Sequence, residues 1–139
     1  MPELPEVETT RRRLRPLVLG QTLLQVVHQD PARYRHTERA EGRRVEEVRR
    51  RGKFLLLALS GGLEMVLHLG MTGGFRLEAT PHTRARLLME KGALYFHDPR
   101  RFGRIWVVER GDYREIPLLS RLGPEPLSPD FRFPPFYRL

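Results

Sequence analysis

Apolar residues first recur at helical spacing. Over residues 3–18, Leu4, Val7, Leu14, Leu17 and Val18 fall on one face of a helix, with Arg11, Arg12, Arg13 and Arg15 largely elsewhere. Gly20 marks its end. Beyond it the pattern is that of strands. Residues 23–29 form a short apolar run, and residues 31–42 are polar, carry Pro31 and Gly42, and predict a loop. Strands are predicted over 45–51 and 54–59, the second continuous enough to be buried on both faces. Gly61 and Gly62 turn the chain into 63–69, where Leu63, Met65, Leu67 and Leu69 alternate with Glu64, Val66 and His68. Residues 75–78 are brief, 85–89 and 93–97 make a hairpin across Glu90-Lys91-Gly92, and 104–108 closes the set. These are about eight short strands at regular spacing after one helix, a mainly β (α+β) pattern that fits a sandwich or barrel. From Ile116 the texture changes: six prolines crowd the last stretch, which reads as a linker over 117–139 after a folded unit over 1–116.

A chain of 139 residues is one domain with a sizeable core. Lys and Arg number 25 against 17 Asp and Glu, a net charge of +8. The excess is local, because residues 11–53 hold 13 basic and 5 acidic residues. Clustered cations suit a polyanion such as nucleic acid; a solvated basic face is a common use of such runs, but clustering at this density favours nucleic acid. With no Cys there is no disulfide and no thiolate metal site, and the five His lack zinc-like spacing, so neither metal nor cofactor is expected in this chain. No apolar run approaches the ~20 residues of a membrane span. Charges fill the first fifteen positions where a signal peptide would be apolar, so a cytoplasmic location is expected. Absent Cys and Asn with abundant charge leans thermophilic.

Candidate chemistry begins at residue 2. Removal of Met1 would expose Pro2 as a secondary amine, and an α-amino group titrates near ~7.7–8.0, leaving much of it unprotonated at neutral pH. Such an amine can attack an electrophilic carbon, with Glu3 and Glu6 beside it to move protons. The same residues also suit a helix start, where proline and acids are favoured, and taken alone they favour that reading. Lys53, one of two lysines beside 23 arginines, either contacts phosphate or guards a strand edge. Met71, in a glycine-rich turn, and Phe102, after Arg100 and Arg101, are core residues or exposed wedges. Their loops are punctuated by Gly and Pro, where burial is disfavoured, and apolar wedges beside an Arg are what unstacks a duplex.

Five segments occur in order: MPELPEVET, RRGKFLLL, HLGMTG, DPRRFG and LGPEPLSPDF. Together they closely resemble the N-terminal half of the formamidopyrimidine-DNA glycosylase family, over nearly the whole chain. The resemblance implies a two-layered antiparallel β-sandwich and a bifunctional glycosylase and abasic-site lyase that removes oxidised purines, 8-oxoguanine and formamidopyrimidines, from double-stranded DNA. It implies that Pro2 attacks C1′, that Glu3 assists base departure, that Glu6 supports the site, and that Lys53 contacts the phosphate beside the lesion and takes part in proton transfer. Met71, Arg100 and Phe102 would fill the gap left by the extruded nucleotide, Arg100 facing the orphaned base, with His82 and Arg101 near the DNA backbone. The partner is then duplex DNA carrying oxidised purines or abasic sites, bound by a monomer. Full-length family members continue into a helix–two-turn–helix domain and usually a zinc finger, so residues 117–139 are expected to lead towards a domain absent here. A non-catalytic DNA-binding module on the same sandwich is the alternative, and an RNA-binding barrel a weaker one.

Overall fold

The computed structural model describes residues 4–71 and 73–121. Helix α1 (Leu4–Val18) is followed by β1 (Leu23–His28), β2 (Tyr34–Arg35), a short 3-10 helix (Thr37–Ala40), β3 (Val45–Arg51), β4 (Phe54–Leu59), β5 (Leu63–His68), β6 (Gly74–Arg76), β7 (Thr83–Met89), β8 (Gly92–His97), β9 (Arg104–Glu109) and α2 (Pro117–Ser120). Two sheets form, in the orders β1-β7-β8-β6 and β2-β9-β5-β4-β3. Neighbours are antiparallel except β2 and β9, which run parallel.

The main core lies between the sheets. Leu55, Leu57 and Leu59 from β4, Met65 and Leu67 from β5, and Ile105 and Val107 from β9 meet Leu87, Leu94 and Phe96 of the other sheet. Helix α1 adds Val7, Leu14 and Val18 to this cluster. Each such side chain taken from water contributes about 1.5–3 kcal/mol. A second cluster covers the opposite face of the five-stranded sheet: Phe54, Leu56, Val66 and Val108 pack with Ile116 and Leu119, flanked by Trp106 and Tyr113. That cover explains why β4 is buried on both faces as expected.

Several expectations change. Nine strands form among the described residues rather than about eight, because 31–42 is not all loop: it contains β2 and the 3-10 helix. Two paired residues carry no period for a sequence pattern to reveal. Strand β5 does not alternate between a buried and an open face: Glu64 is fully buried and His68 nearly so, beneath the second cluster. Leu17, placed on the apolar face of α1, is 45% exposed beside a groove rather than in the core. Of the stretch expected as a linker over 117–139, Pro117–Ser120 form α2, whose Leu119 is buried, and residues 122–139 lie outside the described residues.

The arginine clusters are also less free than their charge suggests. Glu8 on α1 accepts from Arg11, Arg12 and from Arg50 of β3, at 2.7, 3.1 and 3.1 Å. The three guanidiniums, Arg11 foremost, hold its carboxyl down to about 2. Buried Glu64 accepts from Tyr113 at 2.6 Å and lies 3.5 Å from Arg49. Tyr113 titrates above its ordinary range because burial and that carboxylate both oppose its ionisation.

Candidate nucleic-acid interface

The strand register gathers the motif loops at one end of the sandwich. Phe54 pairs with His68, and His68 with Arg104. Lys53, the 69–73 loop and the 98–103 loop therefore leave three adjacent strands on the same side. In the other sheet, His97 pairs with both Gly74 and Thr83, which brings His82 to that end too.

The two loops that carry Met71 and Phe102 are built against each other. Gly70 has φ +67, and a Cβ there would lie 2.7 Å from the backbone of residues 102 and 103. Gly103 leaves no more room: a Cβ would sit 2.6 Å from the Phe96 ring. Its N–H donates to the buried Asp98 carboxylate at 2.8 Å. The Gly70 N–H donates to Nδ1 of His68 at 3.1 Å, and the Gly73 N–H to the Leu69 carbonyl at 2.8 Å. His68 titrates below the ordinary range, first through burial and then through the charges of Lys53 and Arg104, which favours the neutral acceptor form that Gly70 needs.

From this support Met71 and Phe102 project outward, each 47% exposed. Neither is a core residue. The Arg100 guanidinium lies 5.4 Å from the centre of the Phe102 ring, within cation–π range. Arg101 adopts φ 59, a left-handed conformation costing roughly 1–2 kcal/mol in a residue with a side chain. Its carbonyl accepts from Arg33 Nε at 2.8 Å and from Arg104 Nη1 at 3.3 Å, and Arg33 is itself tied to Asp30 at 2.7 Å. Lys53, His82, Arg100 and Arg101 are exposed. Glu6 and Met71 line one groove of about 530 Å³ between α1 and β6, so the start of α1 opens towards the same loops. Pro2 and Glu3 lie outside the described residues. Among the described residues no three metal-ligating side chains gather.

The projecting side chains were legible in the sequence, but those that set them were not. His68, Asp98 and Arg33 had no assigned role. His68 and Asp98 stood inside quoted motifs, which was a signal; Arg33, remote in sequence from the loop it holds, offered none.

A two-sheet sandwich that projects two apolar side chains and a set of cations from one end defines the class of domain. Residues 1–105 match the family model described as formamidopyrimidine-DNA glycosylase N-terminal domain, and the chain belongs to that family. It is 78% identical over 138 residues to the formamidopyrimidine-DNA glycosylase of Thermus thermophilus, covering 99% of this chain and 52% of that protein. The Deinococcus radiodurans protein of the same name is 55% identical, over 94% of this chain and 50% of its own length. The crystal structure of MutM (Fpg) from Thermus thermophilus superposes with TM-score 0.87 at 79% identity, covering 96% of this chain and 50% of that one. Lactococcus lactis Fpg in complex with abasic-site DNA superposes at 0.76 with 28% identity, over 90% and 51% of the two chains. The chain thus spans about half the length of the curated relatives it matches. The resemblance stated from the five motifs is correct, and so is the sandwich.

Proposed function

We propose that the protein containing this chain is a bifunctional DNA glycosylase and abasic-site lyase, acting on oxidised purines in duplex DNA. The observation that carries the proposal is the convergence of half-exposed Met71 and Phe102, with Arg100 and Lys53, at the end where α1 begins. A glycosylase must take its target out of the stack, at a cost of a few kcal/mol. Met71 and Phe102 fill the vacated space and Arg100 meets the orphaned base. DNA complexes of relatives support the substrate class: one contains abasic-site DNA, and another, MutM, contains DNA with carbocyclic 8-oxo-G.

The chemistry follows from an amine next to carboxylates. The Pro2 nitrogen attacks C1′; Glu3 protonates the sugar oxygen as the ring opens, and the base leaves with its bonding pair and gains a proton. The product is a cationic iminium, which acidifies the C2′ proton. Loss of that proton expels the 3′ phosphate by β-elimination, and water then releases the enzyme. Lys53, exposed at this end, binds the phosphate beside the lesion and exchanges protons, and Glu6, which lines the groove at the start of α1, supports the site. His82 and Arg101 contact the backbone. The amine and carboxylates suffice, so we assign this chain no metal or cofactor. We place the protein in the cytoplasm as a monomer; no described helix is long and apolar enough to cross a membrane.

Borohydride reduction on an abasic-site duplex tests the reading, using the chain alone and the chain continued by the remaining half of the Thermus thermophilus relative. We expect a protein–DNA adduct mapping to residue 2, lost in Pro2→Gly and when Met1 is retained. An adduct at Lys53 would overturn the role of Pro2. Duplex binding without any adduct would leave a non-catalytic DNA-binding module.

A further inference from the structure

A second polar site lies beside the wedge loop. A depression of about 460 Å³ opens where β1 and β7 approach β2, and Arg84, Arg86, Arg101, Thr83 and Tyr34 help line it. Tyr34 is only 2% exposed, with its ring held edge-on by His28 at 5.3 Å and Phe96 at 6.3 Å. Its hydroxyl has no hydrogen-bond partner among the described residues, yet it is not sealed from the depression. The hydroxyl is therefore open to the depression and available to donate to an acceptor that enters it. Burial, with the Asp98 and Asp30 carboxylates, pushes its pKa up to about 12, so it stays a donor.

The charges point the same way. Arg86 and Arg101 are exposed and have no ion-pair partner among the described residues. Arg84 is fixed by donating to the Asp98 and Pro99 carbonyls at 2.9 and 3.4 Å. The one carboxylate on the rim, Asp30, is neutralised by Arg33 at 2.7 Å. What remains is a hydroxyl donor flanked by two exposed cations, an arrangement that accepts a phosphate oxygen.

We propose that this depression binds a backbone phosphodiester of the DNA strand opposite the lesion, with Arg86 and Arg101 as its cations and the Tyr34 hydroxyl as its floor. The assignment rests on the glycosylase reading, because Arg101 adjoins the Arg100 that faces the orphaned base. It extends the contact surface from the wedge loop onto β7 and β2, and it would fix which strand enters the wedge.

Methylphosphonate substitution tests this one phosphate at a time, using duplexes with an abasic site and neutralised positions along the opposite strand. In the unaltered chain, one position should weaken binding about fivefold. In the Arg86→Gln, Arg101→Gln double variant that position should lose its effect, to within twofold, and the salt slope should fall by about 0.9 per lost phosphate contact. Tyr34→Phe should weaken binding about threefold and leave melting unchanged. If the double variant and the neutralised phosphate weaken binding independently at every position, the proposal is wrong. It is equally wrong if 10 mM inorganic phosphate competes beyond its ionic strength while the variants bind duplex normally, since the site would then take free phosphate. Failure to bind any duplex by the chain continued with the second half of the Thermus thermophilus relative would remove the glycosylase reading itself.

Discussion

Phe102 separates a wedge from a core residue by measurement. A buried phenylalanine truncated to alanine costs about 3–5 kcal/mol. Phe102 is 47% exposed and stacks on one guanidinium, so Phe102→Ala should cost under about 1 kcal/mol in thermal or urea unfolding. Excision from duplex DNA should still fall at least about tenfold, the equivalent of 1.4 kcal/mol of lost gap filling. Cleavage of an abasic site, where extrusion is easier, should fall less. A large drop in melting temperature would contradict the exposure. His68 makes the opposite kind of residue, one whose protonation loosens the loop from inside. Its folded pKa lies below its unfolded value near 6.5, so its contribution is present above that pH and lost as pH falls through the window beneath it. Melting temperature should decline on acidification below about pH 6.5, and a His68→Gln chain should lose that part of the decline. At this scale the sequence showed which side chains project, because Gly and Pro flank them. It did not show what holds them: the Arg33 bond to the Arg101 carbonyl spans 68 positions, and no local pattern encodes it.

Between elements, the ion pairs of α1 add to what its apolar stripe does. Val7, Leu14 and Val18 are buried, while Glu8 reaches Arg50 on β3. Glu8→Gln should destabilise the fold by about 1 kcal/mol, the upper end for pairs that are partly solvated. Because the folded carboxyl sits at about 2 against 4.5 unfolded, that contribution is complete above about pH 4.5 and vanishes as pH falls towards 2. Urea unfolding of both chains from pH 7 to 2.5 checks it, and curves that stay separated at acid pH would exclude Glu8 as the source. Most strand positions were legible because inward and outward residues alternate or run apolar throughout. The exceptions share a cause. Strand β2 is too short for any period, and the hidden face of β5 depends on Ile116 and Leu119, remote in sequence. Glu64 looked like a solvent-facing position until its partner Tyr113 was in place.

For the whole molecule, the net charge of +8 overstates the grip on DNA. Arg11, Arg12 and Arg50 are spent on Glu8, and Arg110 donates to Glu46 and to the Leu59 carbonyl. With Arg100 directed to the orphaned base, Lys53, Arg86 and Arg101 remain for the backbone, and the two or three phosphate contacts they make give a salt slope of about −2 to −3 on a logarithmic plot. The chain alone should therefore bind duplex DNA weakly and lose affinity steeply with salt. It should also discriminate poorly between damaged and intact duplexes. Holding a nucleotide out of the stack requires support from both sides of a bent duplex, and the loops described here supply one side. The expected preference for an abasic-site duplex over an undamaged one is under about threefold for this chain. It should exceed about tenfold once the chain is continued by the second half of the Thermus thermophilus relative. Titrations of both duplexes at two salt concentrations give the slope and the preference together. A slope near −8 would mean that the paired arginines release their carboxylates to DNA. Strong preference by residues 1–139 alone would mean that the wedge loops extrude and hold a nucleotide without a second domain.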